Sequence, residues 1–221
     1  MTPTPIRHVV YLHGFASSPL SGKAERFRRE VESRGAGFTC PDLNQPAFET
    51  LTATRMLAQV RDAVAQVPDG PIALVGSSLG AFVAVHAAAQ DATGRIDRMV
   101  LLAPALDFGG NRLRQVGPYG VDEWRQSGTI RVFHHAWGEE RELGFELYAD
   151  AAKYDAITLP TTLPTLVFQG DRDESVDPGM VQRWAAGRPL VDLRMVHDGH
   201  QLTESLDRIW TESARFLGLP G

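Results

Sequence analysis

One cysteine, Cys40, is all the thiol chemistry that this chain of 221 residues carries. A single thiol excludes an internal disulfide and fits a reducing compartment, so a cytoplasmic setting is expected. Positive charge is also scarce: 22 Lys and Arg stand against 27 Asp and Glu, a net charge of −5. Nucleic-acid binding usually leaves a basic footprint, so no such partner is expected. Long apolar runs are missing; none approaches the roughly 18 residues of a membrane-spanning helix. The opening Met1-Thr2-Pro3-Thr4-Pro5 has neither the charged stretch nor the apolar stretch of a secretion signal, and none is expected. What is present, 43% hydrophobic and 22% charged residues, suits a globular protein with one sizeable core.

The apolar residues fall in short continuous runs. Strands are expected over residues 6–12, 37–41, 72–76, 98–103, 165–169 and 191–196, with helices over 21–35, 48–67, 79–90, 178–186 and 202–217. Continuous rather than alternating apolar runs mark strands buried on both faces. Their alternation with helices predicts an α/β protein: a single domain, 1–221, on a doubly wound, mainly parallel sheet of about six strands. Residues 107–155 break the rhythm with Gly109-Gly110, a turn at Gly117-Pro118-Tyr119-Gly120 and a cluster of aromatic and charged residues. A plain connection is rarely so long, so a lid or cap inserted over the sheet is expected, with an extended piece near 129–137 and a short helix near 144–154.

The most informative stretch is Ile72-Ala73-Leu74-Val75-Gly76-Ser77-Ser78-Leu79-Gly80-Ala81. In a glycine-rich chain Gly-x-Ser-x-Gly can arise by chance, but here it joins a strand-like run to a small-residue helical pattern. That context reads as a strained strand-to-helix turn that lifts the Ser78 hydroxyl above the sheet. A serine hydroxyl is a weak nucleophile until a base takes its proton. His200 stands in the right loop, after the last strand in Val196-His197-Asp198-Gly199-His200; His197 is the competitor, but it abuts the strand. The base in turn needs a carboxylate to fix its tautomer. After Gln169 the chain reads Gly170-Asp171-Arg172-Asp173-Glu174-Ser175-Val176-Asp177-Pro178, where Asp173 is preferred, Asp171 is the alternative and Asp177 reads as a helix N-cap. The oxyanion needs two backbone donors, expected at Leu79 and Phe15, with Ala16 the alternative to Phe15. His13 reads as an anchor for that loop.

Other features are expected to be bystanders. Gly14 through Gly22-Lys23 has too wide a spacing for a phosphate loop, which leaves Lys23 as a helix-start or surface residue. His134-His135 lack ligand partners at metal spacing, so no metal is expected. Arg112, Arg114, Arg125 and Arg131 read as solvated, with an anionic substrate group as the alternative. Phe15, Phe82, Leu106, Trp124, Trp137, Phe145 and Tyr148 are candidate pocket residues, with ordinary core packing the competing reading.

The order Ser78, Asp173, His200 is that of α/β-hydrolases. More narrowly, Tyr11-Leu12-His13-Gly14-Phe15, Ser17-Ser18-Pro19, Ser21, Lys23-Ala24 and Val75-Gly76-Ser77-Ser78-Leu79-Gly80 resemble the small bacterial YqiA-like esterases. The resemblance covers nearly the whole chain and weakens past Ala103. It implies an α/β-hydrolase fold and hydrolysis of a small-molecule carboxylic ester or acyl-thioester without a cofactor. A peptidase with the same triad, and a ligand-binding protein on the same fold, are the rival readings.

Overall fold

The computed structural model describes residues 5–112 and 120–220; the side chains of residues 111 and 112 are excepted. The turn expected at Gly117-Pro118-Tyr119 and Arg114 lie outside the described residues. Six strands form one sheet: β1 (His8–Leu12), β2 (Gly37–Thr39), β3 (Ile72–Ser77), β4 (Ile96–Leu102), β7 (Thr165–Gly170) and β8 (Val191–Val196). Their order is β2-β1-β3-β4-β7-β8 and every pairing is parallel. The order reverses between β1 and β3, because the chain first winds outward to β2 and then returns past β1 to build the other half.

Side-chain alternation along each strand divides the core in two. Val10, Leu12, Ile72, Leu74, Met99, Leu101 and Val167 point to one face, where α2 (Ala53–Gln66), α3 (Leu79–Ala89) and α6 (Pro178–Ala186) pack. Val9, Tyr11, Ala73, Val75, Val100, Leu102, Leu166 and Phe168 point to the other, against α1 (Gly22–Glu32) and α7 (Leu206–Phe216). On that second face Phe27 of α1 meets Trp210 of α7 edge-on, ring centroids 5.4 Å apart. Burying side chains of this size contributes about 1.5–3 kcal/mol each. Among the described residues no helix is long and apolar enough to cross a membrane.

Three expected elements differ in the structure. The helical pattern over 48–67 splits into a 3₁₀ turn, Phe48–Thr50, and α2, because Thr52 caps α2 by accepting the Arg55 amide at 3.2 Å. The last helix starts at Leu206 rather than 202: the Asp198 carboxylate accepts the Ser205 amide at 2.8 Å and holds residues 201–205 as a loop. Within 107–155, β5 (Thr129–His134) is not a lone extended piece. It pairs antiparallel with β6 (Glu139–Gly144) as a hairpin, between α4 (Val121–Ser127) and α5 (Glu146–Ala151).

Candidate active site

Because the six strands run in parallel, their carboxyl ends share one side of the sheet, and the loops leaving β1, β3, β7 and β8 meet there. β3 ends at Ser77 and α3 begins at Leu79, so Ser78 makes the turn alone. Its φ of 54° and ψ of −113° are unfavourable for an L residue. Flanking glycines allow so sharp a turn. A Cβ on Gly76 would sit 2.5 Å from the Gly80 carbonyl oxygen, and one on Gly80 would strike the Leu12 carbonyl of β1. The Ser78 amide donates to the Leu102 carbonyl at 2.9 Å, which ties the turn to β4.

The Ser78 hydroxyl lies 3.0 Å from His200 Nε2, and His200 Nδ1 lies 2.9 and 3.1 Å from the two carboxylate oxygens of Asp173. Asp173 is buried and held from three further directions: the Ser175 and Val176 amides each donate to Oδ1 at 2.8 Å, and the Gln169 side chain donates to Oδ2 at 2.9 Å. Burial pushes the Asp173 carboxyl up, but the hydrogen bond and charge of His200, the Val176 amide and Gln169 outweigh it, and its pKa is lowered. An ionised carboxylate only accepts, so the His200 proton resides on Nδ1 and the Nε2 lone pair faces the serine. An imidazole so placed is able to take the hydroxyl proton and to hold the resulting positive charge against Asp173.

The competitors are elsewhere. His197 and Asp171 pair with each other at 3.0 Å on the surface, the histidine side chain 76% exposed. Asp177 caps α6, accepting the Gly179 and Met180 amides at 2.8 and 3.1 Å. Arg125 and Arg131 are exposed and pair with Asp122 and Glu140.

Phe15 lines the cleft beside Ser78, and Leu79 opens α3. Among the described residues neither amide has a hydrogen-bond acceptor. The loop bearing Phe15 is anchored by His13, which is buried, with Nδ1 2.9 Å from the Gly14 carbonyl and Nε2 accepting the Leu43 amide at 3.0 Å. Ala16 has a φ of 51°, and its carbonyl accepts the Ala136 amide, from the β5–β6 connection, at 3.3 Å.

The cleft over Ser78 has a volume of about 410 Å³. Of the apolar set expected to line it, only Phe15 does. Phe82, Leu106 and Trp124 are sealed in the core, Phe145 and Tyr148 pack on that core, and Trp137 borders the adjoining recess. Their apolar character reflects packing of α3 and the inserted segment into the core. The cleft wall is instead polar, with Ser17, Ser21, Lys23, His135, Gln201 and Thr203. Lys23 stands at the start of α1, as expected, but it is half-buried and faces the cleft, where its ammonium donates to the Gln201 carbonyl at 2.8 Å and to Gln201 Oε1 at 3.1 Å. No site role was legible in the sequence for Gln169 or Gln201, and Lys23 read as a bystander. A glutamine closing the apolar run Thr165-Leu166-Val167-Phe168 was the one available signal. A second groove, of about 310 Å³ between α2 and α3, holds none of the Ser78, Asp173 and His200 side chains.

An elbow serine at the end of β3, an acid after β7 and a histidine after β8 on this sheet define the α/β-hydrolase fold. Solved structures with that architecture align over almost the whole chain. Est1E from Butyrivibrio proteoclasticus with ferulic acid bound has a TM-score of 0.81 at 18% identity, over 98% of this chain and 90% of that one. The mouse α/β hydrolase domain-containing protein 10 has a TM-score of 0.78 at 20% identity, over 100% and 92%. A structure reported for LipS and LipT, two metagenome-derived lipolytic enzymes, has a TM-score of 0.71 at 19% identity, over 99% and 96%. No curated protein matches the sequence. The chain belongs to the uncharacterised protein family UPF0227, whose model matches residues 8–212.

Proposed function

We propose that the protein is a serine hydrolase that cleaves carboxylic esters or acyl-thioesters through an acyl-Ser78 intermediate. One observation carries the reading: the 3.0 Å contact between Ser78 Oγ and a His200 whose other nitrogen rests on buried Asp173. His200 takes the Ser78 proton as Oγ adds to the acyl carbonyl, and the unpaired amides of Leu79 and Phe15 hold the oxygen as it becomes negative. The bond to the leaving group then breaks, and His200 gives its proton to the departing alkoxide or thiolate. Water, deprotonated by the same imidazole, adds to the acyl-enzyme; the Oγ–acyl bond breaks, His200 returns the proton to Ser78 Oγ and the acid is released. This chemistry needs no cofactor. Likeness to Est1E and to the LipS–LipT structure supports the ester class. Residues 107–155 belong to the same single domain in this reading and act as a cap, with the β5–β6 connection supplying His135 to the cleft wall.

The test is covalent labelling with a serine-directed fluorophosphonate, together with a burst of product from a chromogenic short-chain ester. The expected outcome is one label per chain, on Ser78, and loss of both signals in Ser78→Ala, with turnover reduced by roughly 10⁶. Silence of the wild-type protein in both assays would instead make it a binding protein on a hydrolase fold.

A further inference from the structure

The wall of the cleft carries a charge pattern that the chain as a whole opposes. In a protein of net charge −5, no carboxylate among the described residues lines the cleft, while Lys23 and His135 do, together with Ser17, Ser21, Ser175 and Thr203. In the adjoining recess the one acid among the described residues is Asp42, whose carboxylate is occupied by the Asn44 amide and by the Asn44 and Gln45 side chains. The Lys23 ammonium has three protons. Its acceptors are the two oxygens of Gln201, both uncharged, and among the described residues no Asp or Glu lies within ion-pairing distance.

We propose that the cleft selects esters whose leaving group carries a carboxylate, and that Lys23 recognises that charge. The inference rests on the Ser78–His200 reading and names the substrate class of the same site. The geometry assigns the charge to the leaving group rather than to the acyl part. The departing oxygen must lie against His200 Nε2 to receive its proton, and Lys23 is bonded to the residue that follows His200. Electrostatics agree with the assignment. Burial lowers Lys23 to about 8, against the opposing attraction of Asp198 and Asp173, so the cation is only partly compensated. Both carboxylates are engaged elsewhere, Asp198 with the Gly199 and Ser205 amides of its own loop and Asp173 with His200. During acylation an imidazolium forms one residue away, and Asp173 is committed to it. A carboxylate on the leaving group offsets the second positive charge, and more strongly in the transition state than in the ground state. Lys23 enters no covalent step: the Oγ–acyl bond forms, the acyl–oxygen bond to the leaving group breaks, and the proton on that oxygen comes from His200.

The experiment compares 3-acetoxybenzoate with 3-acetoxybenzamide. Both leave the same acetyl-enzyme, so deacylation is shared and kcat/KM isolates acylation. The wild-type protein is expected to favour the carboxylate at pH 7 and low salt by roughly tenfold, the scale of one charge-assisted hydrogen bond. That ratio should shrink with added salt and as pH rises through about 8, where Lys23 loses its proton. Lys23→Met should lower kcat/KM for the carboxylate ester about tenfold more than for the amide, and Lys23→Glu should invert the order. Equal wild-type values for the two esters overturn the proposal. So does an equal fall of both in Lys23→Met, which would make Lys23 a strap for the Gln201 loop. Failure of the reading beneath is distinguishable, because it also abolishes fluorophosphonate labelling and 4-nitrophenyl acetate turnover.

Discussion

Two histidines and two aspartates separated by a few residues have opposite fates, and burial decides which. Asp173 is sealed beneath the cleft with four donors around it, whereas Asp171, two residues earlier, meets His197 in solvent. The exposed pair is screened by water and contributes little. His197→Gln should therefore leave ester turnover within about twofold of wild type, while His200→Gln should lower it by about 10⁶. Asp173→Asn should cost roughly 10⁴, since an amide supports the wrong imidazole tautomer. Steady-state kinetics on the three variants, with circular dichroism to verify the fold, check the set; comparable losses in His197→Gln and His200→Gln would undo the assignment of roles. The residues involved were readable in the sequence because each sits in the loop where a strand-like run stops, within three residues of a glycine. The three donors that hold Asp173 besides His200 were not: two are backbone amides, which carry no sequence signature.

Among the elements, the four inner strands were legible because burial on both faces leaves unbroken runs such as Ile72-Ala73-Leu74-Val75, whereas β2 and β8, at the edges of the sheet, are only partly buried. The hairpin was not. β6 opens Glu139-Glu140-Arg141-Glu142, polar at four successive positions because these residues face solvent, and only Leu143 enters the core; Arg141 adds a second attachment. That guanidinium reaches Glu49 at 2.7 Å and lies 5.0 Å from the centre of the Trp137 ring. Trp137 stacks on His134 at 3.7 Å, His134 meets Phe48 edge-on at 4.8 Å, and Phe48 touches Phe15 at 5.6 Å. A continuous column of rings thus runs from the hairpin to the loop proposed to donate to the oxyanion. Trp137→Ala should leave the sheet intact but loosen that loop: faster hydrogen exchange over residues 13–17, and kcat/KM lower by about tenfold, less than the 10²–10³ of losing an oxyanion donor outright. Reduced activity with unchanged exchange would show that Trp137 acts on the substrate directly instead of through Phe15.

For the molecule as a whole, the same packing that positions the site encloses two imidazoles with nowhere to put a charge. His86 of α3 is 4% exposed, between Phe82 and Tyr154 at centroid distances of 4.7 and 5.3 Å, and its Nε2 has no partner among the described residues. Burial lowers it from 6.5 to about 4, although Asp155 pulls the other way. His134 is fully enclosed with neither ring nitrogen bonded among the described residues, and burial, followed by the charge of His13, lowers it as well despite Asp42. Both folded-state values lie below the unfolded one, so the unfolded chain takes up protons first as pH falls. The contribution to stability is complete above pH 6.5 and declines below it, for His86 until about pH 4. At about 1.4 kcal/mol per unit, His86 alone removes roughly 2 kcal/mol by pH 5. Asp91, Asp150 and Asp173, whose carboxyls are lowered from 3.8, add their losses only at still lower pH, so the windows separate. Urea denaturation at pH 7.5 and pH 5 should show the wild-type protein losing at least about 2 kcal/mol, and His86→Leu losing about 2 kcal/mol less between the same two pH values. An identical loss in the variant would mean that His86 is not the group that titrates, and that α3 tolerates a charge beneath Tyr154.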